Sequence, residues 1–211
     1  AWAAVPAGLR VRYGVMEAIS TLLLNFVAVA LVSWMVTGPL QEARHAYPES
    51  DPVALSVRLP LLFGSRLHIG IIIAVVLAVG LAVVFARTRS GFALKAAGVG
   101  PKAAALIGRV NVDRVTALAL LGSGGFAGLA GGVEVAGVSY ALFQNLSPGY
   151  GFTAIAVALL ARLDPLGVVI AGVLFGALES GAAAMQRDAG VPSVAVYVVE
   201  ALVIVVVLVA D

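Results

Sequence analysis

The 211-residue chain is 62% hydrophobic and only 11% charged, with a mean hydropathy of +1.08. Soluble domains carry about 25% charged residues, so this composition excludes a soluble globular domain and points to an integral membrane protein. A net charge of +2 gives no reason to expect a nucleic-acid partner, and the absence of Cys excludes disulfides and thiolate metal sites.

Residues 1–13 carry Arg10 and Arg12 and read as an interfacial lead-in. Residues 14–37 form the first predicted span, long enough to cross a hydrocarbon core of about 30 Å. Residues 38–67 are a polar loop with Pro39, Pro48, Pro52 and Pro60, together with Arg44, Arg58 and Arg66. Residues 68–86 form the second span. A basic stretch follows at 88–112, and 115–133 form a Gly-rich third span. Residues 134–150 read as irregular, with Asn145, Ser147, Pro148 and Gly149. Residues 151–161 are apolar but cover only half a span. They read either as a broken or re-entrant helix lining a cavity, or as a kinked helix starting near Leu142. A tight turn at 162–165 leads into the span at 166–185. A polar loop at 186–192 precedes the last span at 193–210. The fold class is therefore all-α, a polytopic membrane helix bundle of about six spans including one short broken helix. The missing initial Met and the apolar end suggest a fragment that lacks earlier spans and a short tail.

Orientation follows from Lys/Arg asymmetry between the two sides. Arg10, Arg12, Arg87, Arg89, Lys95, Lys102, Arg109, Arg114 and Arg162 fall on one side; Arg44, Arg58, Arg66 and Arg187 fall on the other. The richer side reads as cytosolic. This places the 38–67 loop outside, the 87–114 loop inside and the C-terminus in the cytosol.

The stretch at 88–112 contains a short helix with readable ends. Gly100-Pro101 opens it, since Pro suits the first helical position. Gly108 offers a left-handed cap. So short a helix needs something to dock against. From the residues alone, a docked helix and a basic loop lying on anionic lipid both remain open.

Carboxylates in or beside spans are costly in hydrocarbon and face a bundle, a cavity or an interface. These are Glu17, Glu134, Glu179 and Glu200. A structural carboxyl and a pathway role are both open for them. Asn25 lies mid-span, as helix glue or path lining. The predicted substrate pathway comprises Asn25, Glu134, Asn145, Tyr150 and Glu200, and Phe143, Tyr150 and Phe152 offer aromatic faces for stacking. Gly124-x-x-x-Gly128, Gly128-x-x-x-Gly132 and Gly172-x-x-x-Gly176 let helix backbones approach. His45 and His68, without a clustered carboxylate, give no metal site. The chain contains no G-x-x-x-x-G-K-[ST], so it does not cradle ATP through a P-loop. Gly122-Ser123-Gly124 lies within a span and reads as helix packing rather than a hydrolase elbow. No catalysis and no cofactor is expected of the chain.

The segments GVMEAISTLLLNFVAVALVSWMVTGPL, GFALKAAGVGPKAAALIGRVNVDR and SPGYGFTAIAVALLARLDPLGVVIAGVLFGAL together resemble permease subunits of bacterial ABC importers. The group is that for branched-chain amino acids, sugars and nucleosides, and the nucleoside-type branch is the most similar. Met16 stands where an Asn would be expected. The resemblance implies further N-terminal spans in full-length members, and a pathway formed by two permease subunits in the bacterial cytoplasmic (inner) membrane. It also implies a cytosolic ABC ATPase, a second, non-identical permease and an extracytoplasmic substrate-binding lipoprotein as partners. By the same resemblance Gly98, Pro101, Lys102, Ala103, Leu106, Ile107 and Gly108 form the coupling helix that sits on the ATPase. The rival expectation is an ion- or proton-coupled secondary transporter with the carboxylates as relays, or an ABC permease for simple sugars or branched-chain amino acids.

Overall fold

Apolar runs surrounded by hydrocarbon must satisfy their backbone groups internally, and helices do so. A computed structural model describes residues 2–62, 67–106, 108, 110–147, 149–189, 198, 201–202 and 205–206. Among these, eight α-helices and one π turn account for the regular structure, with two isolated antiparallel bridges besides. Arg66, Ile107, Arg109, Pro148, Glu200 and most of the predicted last span at 193–210 lie outside the described residues.

The helices are α1 Ala4–Tyr13, α2 Glu17–Val36, α3 Gly70–Arg87, α4 Arg89–Val99, α5 Pro101–Leu106, α6 Val112–Glu134, α7 Tyr150–Leu160 and α8 Pro165–Ala189; the π turn Val135–Ser139 continues α6. Four described helical stretches are long and apolar enough to cross a membrane: α2, α3, α6 with its π turn, and Pro165–Asp188 of α8. Chain contacts group into two units, Ala1–Ile71 with Val84–Leu146, and Ile72–Val83 with Ser147–Asp211.

In the first unit, α1 takes the place of the expected interfacial lead-in and packs on α2 and α6. It ends at Gly14, whose left-handed backbone (φ 67°) lets its N–H donate to Arg10. Across this turn Arg10 Nε meets Glu17 Oε2 at 3.3 Å, on an exposed surface where such a pair contributes little. Glu17 opens α2, where its charge favours the helix dipole. The α1–α6 contact is close because Gly124 has no side chain, and a Cβ there would collide with Ala3. Gly128, Gly132, Gly172 and Gly176 have nothing within 4 Å of a Cβ position, so of the expected small-residue approaches only the one at Gly124 is made among the described residues.

The basic stretch differs from the sequence expectation in one respect. It holds two helices rather than one, because Arg89–Val99 is also helical. Thr88 caps it, accepting from Gly91 N–H at 3.0 Å. Gly91 allows the sharp α3–α4 corner, since its Cβ position lies 2.6 Å from Phe85 Cα. Helix α5 starts at Pro101 as the sequence suggests. Asn111 caps α6, accepting from Arg114 N–H at 2.9 Å, so this span starts earlier than expected. It also ends later, through the π turn, and Tyr140 then stops it in a left-handed conformation (φ 55°). That backbone costs a non-glycine residue about 1–2 kcal/mol.

In the second unit, α7 and α8 share a small core of Ala156, Val157, Ala171 and Phe175. Helix α7 is about 16 Å long at 1.5 Å per residue, roughly half a hydrocarbon core. The chain before it is irregular, so the helix does not start near Leu142. The turn into α8 runs through two left-handed residues, Arg162 (φ 51°) and Leu163 (φ 57°). Asp164 then caps α8, its Oδ2 accepting from Gly167 N–H at 2.7 Å.

Two substitutions test the α3–α4 corner. Gly91→Ala should destabilise the protein by about 1–3 kcal/mol, because the new methyl meets backbone. Gly98→Ala, in the same helix with open space at its Cβ, should stabilise α4 by up to about 1 kcal/mol. Thermal unfolding in detergent reads both shifts. In addition, Thr88→Ala should cost about 1 kcal/mol, visible as faster hydrogen exchange at the first amides of α4.

Candidate functional site

Two places carry chemistry in the first unit. One is the α4–α5 pair between α3 and α6. Helix α5 rests on α4 and α6 and buries Ala104. Its remaining residues, Pro101, Lys102, Ala103, Ala105 and Leu106, face out. Leu106 is 83% exposed and Val99, at the end of α4, is 93% exposed. Gly98 is exposed beside it, and Gly108 lies just beyond α5. The corner thus offers an apolar tip with Lys102 beside it. Lys95 turns back toward α3 and lies 5.8 Å from the Phe85 ring centroid. Ile107 and Arg109 lie outside the described residues. Val99 and the exposed Phe92 escaped the sequence reading because α4 was not expected to be helical.

The other place is the set of polar groups along α2 and α6. Asn25 is exposed on α2 and lines a cleft of about 510 Å3 between α1, α2 and α6. Trp2, Pro6, Thr21, Leu24, Ser123 and Gly124 line it too. Glu134 is half-buried at the junction of α6 and the π turn. It lies about 9–21 Å along α6 from the part that lines the cleft (Leu120 to Gly128), at 1.5 Å per residue, so the two predicted pathway residues do not meet. Asn145 is exposed in the irregular chain after the π turn. Its neighbour Gln144 donates from Nε2 to Ser33 Oγ at 3.0 Å, which ties that chain to the end of α2. In the second unit, Tyr150 is the first residue of α7 and partly exposed. Phe152 is exposed on the same helix. Glu200 lies outside the described residues.

The sequence reading missed the π turn and the way the 38–62 chain lies against it. A π turn is common beside functional groups but has no sequence signature; Val-Ala-Gly-Val-Ser reads as irregular.

Comparison with known proteins adds the family. Residues 1–208 match the model of the branched-chain amino acid transport system / permease component family. The chain is 36% identical over 214 residues to the glucose ABC transporter permease protein of Haloferax volcanii, covering 96% of this chain and 56% of that protein. It is 36% identical over 208 residues to the guanosine ABC transporter permease protein of Bacillus subtilis, covering 96% and 59%. It is 34% identical over 212 residues to a nucleoside ABC transporter permease protein of Lactococcus lactis, covering 95% and 57%. The chain thus spans little more than half the length of these relatives. No solved structure matches it. With nearly the whole chain matched and four membrane-length apolar helices described, the protein belongs to the branched-chain amino acid transport system / permease component family.

Proposed function

We propose that this chain is the membrane-spanning permease subunit of an ATP-driven ABC importer for nucleosides. The observation that carries the reading is the exposed apolar tip of the α4–α5 pair. Val99 and Leu106 stand almost fully out of the fold beside Lys102. Burying each against a partner would contribute about 1.5–3 kcal/mol, and the Lys102 charge would steer the encounter. Gly98, Pro101, Lys102, Ala103, Leu106, Ile107 and Gly108 form the docking element. A cytosolic ABC ATPase supplies the groove. ATP hydrolysis is the partner's task, because this chain has no P-loop, and movement of the ATPase shifts the helix pair as a lever.

The other partners in this reading are a second, non-identical permease and an extracytoplasmic substrate-binding lipoprotein. The chain sits in the bacterial inner membrane, with the basic 87–114 loop and the C-terminus in the cytosol and the 38–67 loop outside. The Lys/Arg asymmetry supports that orientation. Asn25, Glu134, Asn145, Tyr150 and Glu200 line the substrate path, as polar groups among apolar helices do. The guanosine and nucleoside relatives favour nucleosides. The glucose relative, equally similar to the guanosine one, favours a simple sugar as the second reading.

Replacing Val99 and Leu106 with Asp should lower co-purification of the ATPase at least about tenfold, the equivalent of 1.4 kcal/mol. ATP-dependent uptake should fall with it. Retained ATPase binding in this variant would remove the docking role. Glu134→Gln and Asn145→Ala should each lower uptake several-fold with subunit assembly intact. If both left uptake of guanosine and glucose unchanged, the pathway assignment would fail.

A further inference from the structure

We propose that Arg58 and Tyr140 are positioning residues that latch the 38–62 strap onto the π turn and so fix the end of α6 that carries Glu134. The two residues close a ring of contacts. Arg58 stacks its guanidinium over Tyr140, 4.5 Å from the ring centroid. Its Nε donates to the Val53 carbonyl at 3.0 Å. Val53 N–H in turn donates to the Tyr140 carbonyl at 2.7 Å. Tyr140 is also where the helix stops in a left-handed conformation. The latch therefore grips a left-handed, non-glycine backbone position.

Further bonds run the length of the strap. Leu59 N–H donates to the Ala136 carbonyl at 2.9 Å, inside the π turn, and Ser50 N–H donates to the Leu142 carbonyl at 2.8 Å. Leu142 N–H donates to Ser50 Oγ at 3.0 Å. A helix end leaves carbonyls unsatisfied, and here the strap satisfies those at 136, 140 and 142. Beneath the turn, Gly137 is buried against His68, whose ring atoms come within 3.0 Å of a Cβ position there. The ring is held by Gly70 N–H, which donates to His68 Nδ1 at 3.1 Å.

The held end matters because Glu134 is the last α residue before the i→i+5 register begins. Any change between π and α winding turns Glu134 relative to the strap. No described group pairs with its carboxylate, and the winding sets the direction in which its Cα–Cβ bond leaves the helix. The latch stands on geometry by itself, whereas the use made of the held Glu134 rests on the transport reading above.

The full chain, in membrane vesicles with its partner subunits, allows the two to be tested apart. It has no Cys, so a pair can be introduced cleanly. Glu49 and Phe143 form an antiparallel bridge. The Ser50–Leu142 bond beside it makes this the narrow, non-hydrogen-bonded kind of pair, about 4.5 Å between Cα atoms and within disulfide reach. With Glu49→Cys and Phe143→Cys, catalysed oxidation should cross-link rapidly. Adding Arg58→Ala or Tyr140→Leu should slow cross-linking about tenfold, and Tyr140→Phe, which keeps the ring, should not. Equal rates in all four backgrounds would overturn the latch.

Uptake is then read in the Cys-free chain. Arg58→Ala and Tyr140→Leu should each raise KM several-fold at unchanged membrane abundance. The double variant should be no worse than either alone, and Tyr140→Phe should match the parent. Unchanged KM in the single variants, or losses that multiply in the double, would overturn the positioning role. If the parent takes up neither guanosine nor glucose while the cross-linking rates still separate as expected, the transport reading fails and the latch stands.

Discussion

The first unit depends on how backbone groups are satisfied where a membrane-length helix stops. Inside α2 and α6 the helix ladder meets that need without help. At the end of α6 it does not. The π turn and Tyr140 leave carbonyls that the helix cannot pair, and the proline-punctuated chain after α2 supplies the donors. That chain also folds on itself, with Glu42 and Asp51 accepting from its own amides, and the carbonyls it satisfies tie it to the end of α6. Arg58, read from the sequence as one of several loop charges, becomes the residue that binds this chain to an aromatic ring.

The helices themselves bury little. In the apolar window of each membrane-length stretch, from none (α6 with its π turn) to 17% (α8) of residues are buried. So much exposed apolar helix needs lipid or further protein around it. Both are natural for a family of transport-system permease components whose curated relatives are longer than this chain. The α4–α5 tip is a different kind of exposure. Val99 and Leu106 stand on short helices beside basic residues rather than within a membrane-length apolar run. In the proposed reading a protein groove covers this tip.

What the sequence made legible were the features governed by local rules. The apolar runs gave the four described membrane-length helices, Pro101 after Gly100 gave the start of α5, and the brevity of the apolar run at 151–161 gave the half-length helix α7. Other features depend on neighbours that sequence does not name. Thr88-Arg-Ser-Gly91 belongs to a stretch read as basic and non-helical up to Gly100, yet Thr88 is a helix cap and Gly91 a corner residue against Phe85. The spacing Gly124-x-x-x-Gly128 treats its two glycines alike, but only Gly124 meets another helix. The π turn was hidden because its stability comes from chain some 80 residues earlier. Likewise Asn25 on α2 and Glu134 at the end of α6, grouped by polarity, do not form one cluster.

The central claim is that this chain moves substrate under the control of an ATPase docked on α4 and α5. The most direct measurement is guanosine accumulation in proteoliposomes holding the full chain with its ATPase, second permease and binding protein. ATP on the ATPase side should start accumulation, its omission should abolish it, and collapsing a proton gradient should leave it unchanged. Accumulation driven by a proton gradient without ATP would contradict the claim and favour the carboxylates in or beside the spans as ion relays instead.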